Sequence, residues 1–239
     1  MLGWSESAFA SGEVFSKFPS MMTARFTVRS LFLVLALVCA VGVGCKSTYY
    51  ATMEKFGVEK RDLLKKRVVA ARDEQKEAGE EFKDAMTRLK EMTSFDGGQL
   101  EQSYKNLKSD FDDCSAKAET VRKRIHDMEK VAVDLFAEWE NEIEQITTPS
   151  LKASSKDQLR QTKQRYQELQ TALKKAESTM GPVLTQFKDY VLSLKHSLNA
   201  QAIASLKSEA TSIQTDISKL ITQMNQSIAK ADEFVKGLQ

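Results

Sequence analysis

Helix breakers and soft metal ligands are both scarce in this sequence. Its 239 residues include three prolines and ten glycines, and four of those glycines precede Cys45. A many-turned β fold needs more punctuation than that, so the scarcity favours long helices. The two histidines are His126 and His196. A di-iron helical bundle requires inward-facing Glu-x-x-His pairs. Here Lys123 stands three residues before His126, and Ser193 three before His196. No metal site and no cofactor are therefore expected.

Neither sign of charge dominates. Lys and Arg number 35 against 33 Asp and Glu, a net of +2. Residues 1–44 hold Lys17, Arg25 and Arg29 against Glu6 and Glu13, which leaves 32 basic and 31 acidic residues from position 45 onward. So even a balance gives no field that would gather phosphates, and nucleic acid is not an expected partner. Hydrophobic residues make up 41% and charged ones 28%, values that suit neither a membrane bundle nor a disordered acidic tail.

Long apolar runs are absent except at one place. Arg25 and Arg29 precede thirteen residues from Leu31 to Val43 that carry no charge. A basic segment followed by an apolar stretch of this length reads as a secretory signal, and it falls short of the ~20 residues needed to span a bilayer. Small residues then lead into Gly42-Val43-Gly44-Cys45. This resembles a lipobox, in which diacylglycerol is added to the cysteine thiol and the peptide is cut before it. Gly42 stands where leucine is usual. Residues 1–44 are thus expected to be a signal peptide and Cys45 the lipidated residue; an uncleaved signal anchor is the alternative. Met21-Met22 sits just before the basic segment, which suggests a start there, with residues 1–20 an over-extended beginning. By resemblance to lipoproteins of two-membrane bacteria, Lys46 implies the outer membrane, with the body facing the periplasm. Gly42–Ser47 also looks like a phosphate loop, but that motif needs glycine directly before the lysine, and Cys45 intervenes.

Beyond the anchor the apolar residues fall three and four apart. Tyr104, Leu107, Phe111, Cys114, Ala118, Val121, Ile125, Met128, Ala132, Leu135 and Trp139 keep this rhythm without a miss. That is a heptad seam which turns one stripe toward partner helices. Leu64 to Met92 forms a similar seam with one polar gap at Gln75, Leu159 to Leu194 a third, and Leu206 to Met224 a fourth that continues more loosely to Leu238. Asp96-Gly97-Gly98 ends the first, Thr148-Pro149-Ser150 interrupts the second, Ser155 with Gln158 reads as a capping box opening the third, and a reversal is expected near Asn199. The phase runs through Gly181-Pro182, which predicts a kink rather than a reversal. The expected fold is all-α, with helices over about 48–95, 99–147, 155–197 and 201–237 in one lipoprotein domain, 45–239. These suit an up-down-up-down four-helix bundle, or a pair of coiled-coil hairpins that oligomerise.

Candidate chemistry is sparse. Glu138, Glu140, Glu142 and Glu144 pair one turn apart along a helix surface, but no histidine joins them and they lie off the seam. Cys114 occupies a seam position, where burial as a small hydrophobe is expected; an intermolecular disulfide is the alternative. Most of the methionines read as core fillers. Tyr49, Tyr50, Met53 and Phe56 follow the anchor, and either rest at the membrane interface or pack normally.

Three features together carry a resemblance: the Cys45 anchor, the stretch Tyr50-Ala-Thr-Met-Glu-Lys-Phe-Gly-Val-Glu-Lys-Arg-Asp62, and the stretch Leu194-Lys-His-Ser-Leu-Asn-Ala-Gln-Ala-Ile-Ala-Ser-Leu206. They resemble a family of bacterial envelope lipoproteins classed as a domain of unknown function. The resemblance covers nearly all of residues 45–239 and implies an all-helical lipoprotein. It supplies no substrate and no catalytic residue. The expected function is a structural or protein-interaction module that binds an envelope protein or itself, held to the membrane by lipid on Cys45. A membrane-active or transport-accessory role is the alternative; no enzyme activity and no nucleotide are expected. Cys45→Ser should abolish precursor processing and move the protein out of the membrane fraction. Unchanged fractionation and unchanged mass would remove the lipid from this reading.

Overall fold

The three-four spacing of apolar residues becomes a continuous buried stripe on each long helix. In the computed structural model, which describes residues 60–94, 100–196 and 200–238, the helices are α1 (Lys60–Thr93), α2 (Leu100–Gln145), α3 (Pro149–His196), α4 (Ala200–Ser205) and α5 (Lys207–Lys236). All of the described residues lie in one compact unit, Gly57–Gln239. Among them there is no strand.

Leu64, Val68, Phe82 and Leu89 on α1 are fully buried, as are Val121, Ile125 and Met128 on α2, Leu169, Leu173 and Phe187 on α3, and Ile217 and Leu220 on α5. Each such side chain contributes about 1.5–3 kcal/mol relative to exposure. Polar and charged residues take the outer faces, so the stripes have one another to face. α1 packs on α2, α2 on α3, α3 on α5, and α5 closes back on α1. The pairings run antiparallel throughout. Lys60 meets Glu138 while Arg88 meets Asp110; Phe111 meets Phe187 while Phe136 meets Tyr166. Gln186 meets Asp216 while Lys230 meets Glu168, and Arg72 meets Asp232 while Met86 meets Ser218. This is the up-down-up-down four-helix bundle. Its aromatic contacts are edge-to-face, at centroid distances of 5.5 Å for Phe111–Phe187, 5.4 Å for Phe136–Tyr166 and 5.9 Å for Tyr166–Phe234, the geometry ring quadrupoles favour.

Two boundaries differ from the sequence reading. α3 begins at Pro149 rather than at Ser155. Proline suits a first helical position, because the N–H it lacks would have no intrahelical partner there. The Lys152 amide donates to the Thr148 carbonyl at 3.0 Å and opens the helix. Ser155 is no cap: it lies inside α3, half-buried, and its Oγ accepts a hydrogen bond from Trp139 Nε1 at 3.2 Å. The last helix is also not one piece. α4 stops at Ser205, Leu206 intervenes with φ −96° and ψ 7°, and α5 starts without a side-chain cap. The expected start of the first helix near residue 48, the Asp96–Gly98 break and the Asn199 reversal lie outside the described residues.

Gly181-Pro182 does not end α3, which runs unbroken through both residues. Pro182 is exposed, so water can reach the Ser178 carbonyl that has lost its donor, and Thr185 Oγ1 donates to the Gly181 carbonyl at 3.0 Å. An interior proline costs a helix about 3 kcal/mol, offset in part by its rigidity in the unfolded chain, worth up to about 1 kcal/mol. Pro182→Ala is therefore expected to stabilise the bundle by about 2 kcal/mol in urea unfolding. A loss of stability would mean that the proline ring matches a backbone shape that alanine cannot hold.

Candidate functional site

The residues singled out by chemistry do not converge. Cys45, Tyr49, Tyr50, Met53 and Phe56 lie outside the described residues. His126 on α2 and His196 at the end of α3 are both exposed. Among the described residues, no group of three His, Cys, Asp or Glu could hold a metal ion. The four glutamates at the end of α2 diverge. Glu138 binds Lys60 of α1, Glu140 binds Lys163 of α3, and Glu144 takes Lys152 at 2.9 Å and Lys156 at 3.3 Å, both on α3. Hydrogen bonds from Lys152 and then Lys156 hold the Glu144 carboxyl below the usual carboxylate range. A carboxyl held ionised has no proton to give near neutral pH, so Glu144 is placed to clamp α2 to α3. Glu142 is exposed, with no ion pair.

Cys114 is fully buried and unpaired. Burial pushes its thiol well above the ordinary range, and carboxylates at Glu81, Asp110 and Asp113 push the same way. Reactivity belongs to the thiolate, so Cys114 serves as a small packing residue in the buried stripe of α2.

Two furrows run along the outside. One, of about 760 Å³, lies between the end of α2 and the start of α3, with Ile143 and Leu159 at its floor and Glu140, Lys163, Glu144 and Lys156 along its rim. The other, of about 790 Å³, lies between α3 and α5, and Lys230 bridges it to Glu168 at 3.0 Å. Small-molecule sites enclose a ligand among apolar walls with a few converging polar atoms. Both furrows are instead open and edged by long charged side chains that already bind each other.

The least ordinary chemistry is inside the bundle. Gln75 on α1 and Ser227 on α5 are both completely buried, and their side chains meet. Ser227 Oγ also lies 2.8 Å from the Met224 carbonyl. A hydroxyl has one proton, so it can donate to only one of these neighbours. With that proton on Met224, the oxygen lone pairs are free for an amide N–H, and turning the Gln75 amide over exchanges the Oε1 that faces Ser227 for the nitrogen that otherwise lacks a partner. Tyr166 and Tyr190 carry buried hydroxyls that also lack partners, and burial pushes the Tyr190 hydroxyl up to about 12. Sequence reasoning met Gln75 only as a gap in a seam. It passed over Ser227, although the rhythm from Met224 to Ala231 lands there; a polar residue at a seam position on both α1 and α5 was the available signal.

A family model matches residues 49–238, which spans every helix described above. The chain belongs to the DUF2959 family, described as a protein of unknown function. No curated protein matches the chain. The DUF2959 region thus contains the whole polar pair, both furrows and the α2–α3 clamp, while Cys45 lies four residues ahead of it.

Removing one partner of a buried polar pair leaves the other unsatisfied and costs about 1–3 kcal/mol, whereas replacing both with apolar groups is close to neutral. Ser227→Ala should therefore destabilise the DUF2959 bundle by about that amount, and Gln75→Leu added to Ser227→Ala should recover most of the loss in urea unfolding. Strict additivity of the two substitutions would show that the pair makes no joint contribution.

Proposed function

We propose that this DUF2959 protein is a lipid-anchored helical bundle of the bacterial envelope, facing the periplasm from the outer membrane and acting as a structural or protein-interaction module. The observation that carries the proposal is the pairing of a lipobox-like Gly42-Val43-Gly44-Cys45 with a rigid bundle that follows it. α3 alone has 48 residues, about 70 Å at ~1.5 Å per residue. A closed bundle of that length can present a surface far from the membrane that holds its anchor.

The surface supports contact with other proteins better than with lipid interiors. Among the described residues, no helix is long and apolar enough to cross a membrane. The large exposed hydrophobics are Val133, Leu151 and Leu192. They stand apart from one another, on α2 and at the two ends of α3, rather than forming one apolar patch. Between them the surface is charged in both signs, the composition of an interface rim rather than of a permanent dimer core. The proposed role is therefore a reversible polar contact at the surface of a stiff support, with no chemical step.

Cross-linking in living cells followed by affinity purification and mass spectrometry tests the role. A recurrent stoichiometric envelope partner is expected, and it should be lost from the Cys45→Ser protein even at matched abundance. Recovery of this chain alone would replace a partner-binding role with a self-assembling spacer. Recovery of the same partner from Cys45→Ser would detach the interaction from the anchor.

A further inference from the structure

Most clusters of charge on these helices are cross-braced. Glu74 of α1 receives Lys117 and Arg124 of α2, Lys174 of α3 reaches Glu129 and Glu177, and Arg72 bridges Asp73 and Asp232. The first two turns of α1 are different. Lys60–Arg67 contains five basic residues and one acidic one, Asp62. Lys60 is held by Glu138. Arg61, Lys65, Lys66 and Arg67 form no ion pair, and Asp62 pairs with none of them. Arg61 and Lys66 are exposed, Lys65 and Arg67 half-buried, and Arg67 Nε is enclosed without a hydrogen-bond partner. On none of the other described helices do two lysine or arginine residues without an ion pair fall within four positions of each other.

Four neighbouring cations with one carboxylate among them, Asp62, keep a net positive charge and repel one another in water, and an anionic surface relieves that repulsion. Their position in the chain says which surface. Fourteen residues separate Cys45 from Lys60. That length spans about 20 Å if helical and at most about 50 Å if extended, so a lipid on Cys45 leaves this end of α1 within reach of the bilayer surface. Basic residues beside a membrane attachment bind anionic headgroups, and the attraction fades beyond a Debye length of ~10 Å. An acidic protein would need a matching surface at the same short distance from the anchor, whereas the bilayer is there already.

We propose that Arg61, Lys65, Lys66 and Arg67, which fan round the first two turns of α1 rather than lining one side of it, make this end of the bundle a docking face for anionic phospholipid headgroups, which holds the base of the bundle against the membrane. The inference rests on lipid anchoring at Cys45 and adds a second, electrostatic contact that sets how the bundle stands. It also assigns the two ends different tasks: the α1 start faces the lipid, while the end where α2 begins is free for a protein.

The test is residue-by-residue labelling of amines, read by mass spectrometry, on the full protein purified from membranes and reconstituted into vesicles. One vesicle set contains phosphatidylcholine alone; the other adds phosphatidylglycerol. Lys65 and Lys66 should label several-fold more slowly on the anionic vesicles, while the exposed Lys123 and Lys188 label alike on both. Raising salt to about 1 M, where charge acts over only ~3 Å, should erase the protection. The double variant Arg61→Glu, Lys65→Glu, checked for helix content by circular dichroism, should label Lys66 alike on both vesicle types and leave Lys123 and Lys188 as before. Equal labelling of Lys65 and Lys66 on both vesicle types overturns the docking face while leaving the anchor intact. Failure of the protein to float with neutral vesicles removes the anchor itself, and the docking face with it.

Discussion

The contact between α1 and α5 is the constraint on which the rest of the bundle depends. The other neighbours are joined by short connections, so α2 finds α1 and α3 finds α2 with little loop-closure cost. α1 and α5 stand at opposite ends of the described chain and must recognise each other through side chains alone. Along this seam, Arg72 reaches Asp232, Gln75 reaches Ser227, Gly79 lies under Met224, and Met86 meets Ser218. The residue numbers fall on one side as they rise on the other, which fixes a single antiparallel register. Slippage by one turn would bury Arg72 against apolar positions or leave the Gln75 amide without Ser227, and either costs more than a mismatched pair of leucines. A buried polar pair is weak evidence for stability and better evidence for uniqueness, since apolar stripes tolerate many registers. Here it stands where the chain itself gives no guidance.

How much of this was legible in the sequence follows from what each signal measures. The heptad seams gave the core almost residue by residue, because burial of a helical stripe depends only on period. Phe82, Ile125, Leu173 and Met224 are buried where the rhythm puts them. The seam missed the widening of the α2 stripe, where Val131, Phe136 and Ile143 are also buried. Two neighbouring helices cover a broader arc than one seam, so positions beside the stripe are enclosed as well. Helix ends were less legible. Ser155 and Gln158 satisfied the pattern of a capping box, yet Pro149 opened α3 six residues earlier. Pattern alone cannot tell a serine that caps from a serine that sits opposite Trp139, because the difference lies on another helix.

The candidate site was legible mainly in the negative, and the partners of its side chains were not legible at all. Four glutamates at alternate positions around Trp139 read as helix surface off the seam, and there they lie. Sequence spacing reports neighbours on the same helix, whereas Glu138, Glu140 and Glu144 each look outward to a lysine on α1 or α3. The lysines that decide the matter are 23 or more positions away for the first two and lie across a turn for the third. The same map of pairings makes the start of α1 informative. A run such as Lys60–Arg67 is common on solvated helices and says little by itself. It becomes specific once Glu138, Glu140 and Glu144 are seen to be taken by Lys60, Lys163, Lys152 and Lys156, so that none of the three is left for Arg61, Lys65, Lys66 or Arg67.

These pairings divide the work of the bundle between its inside and its ends. The interior is committed to one register by Gln75 and Ser227, and Cys114 and the two buried tyrosines are held in their neutral forms by their surroundings. The flanks are committed too, since most inter-helix carboxylates there already hold a cation. What remains uncommitted among the described residues is the basic start of α1. In the proposed role, a support that is rigid along its length transmits position rather than signal or substrate. Tilting such a body at its base by a few degrees sweeps its far end through several ångströms, because a 70 Å helix is a long lever. In the proposed role, contacts at the base govern where a distal partner can be met, and a lipid on Cys45, the cation cluster and the register of α1 against α5 all act on that single geometric quantity.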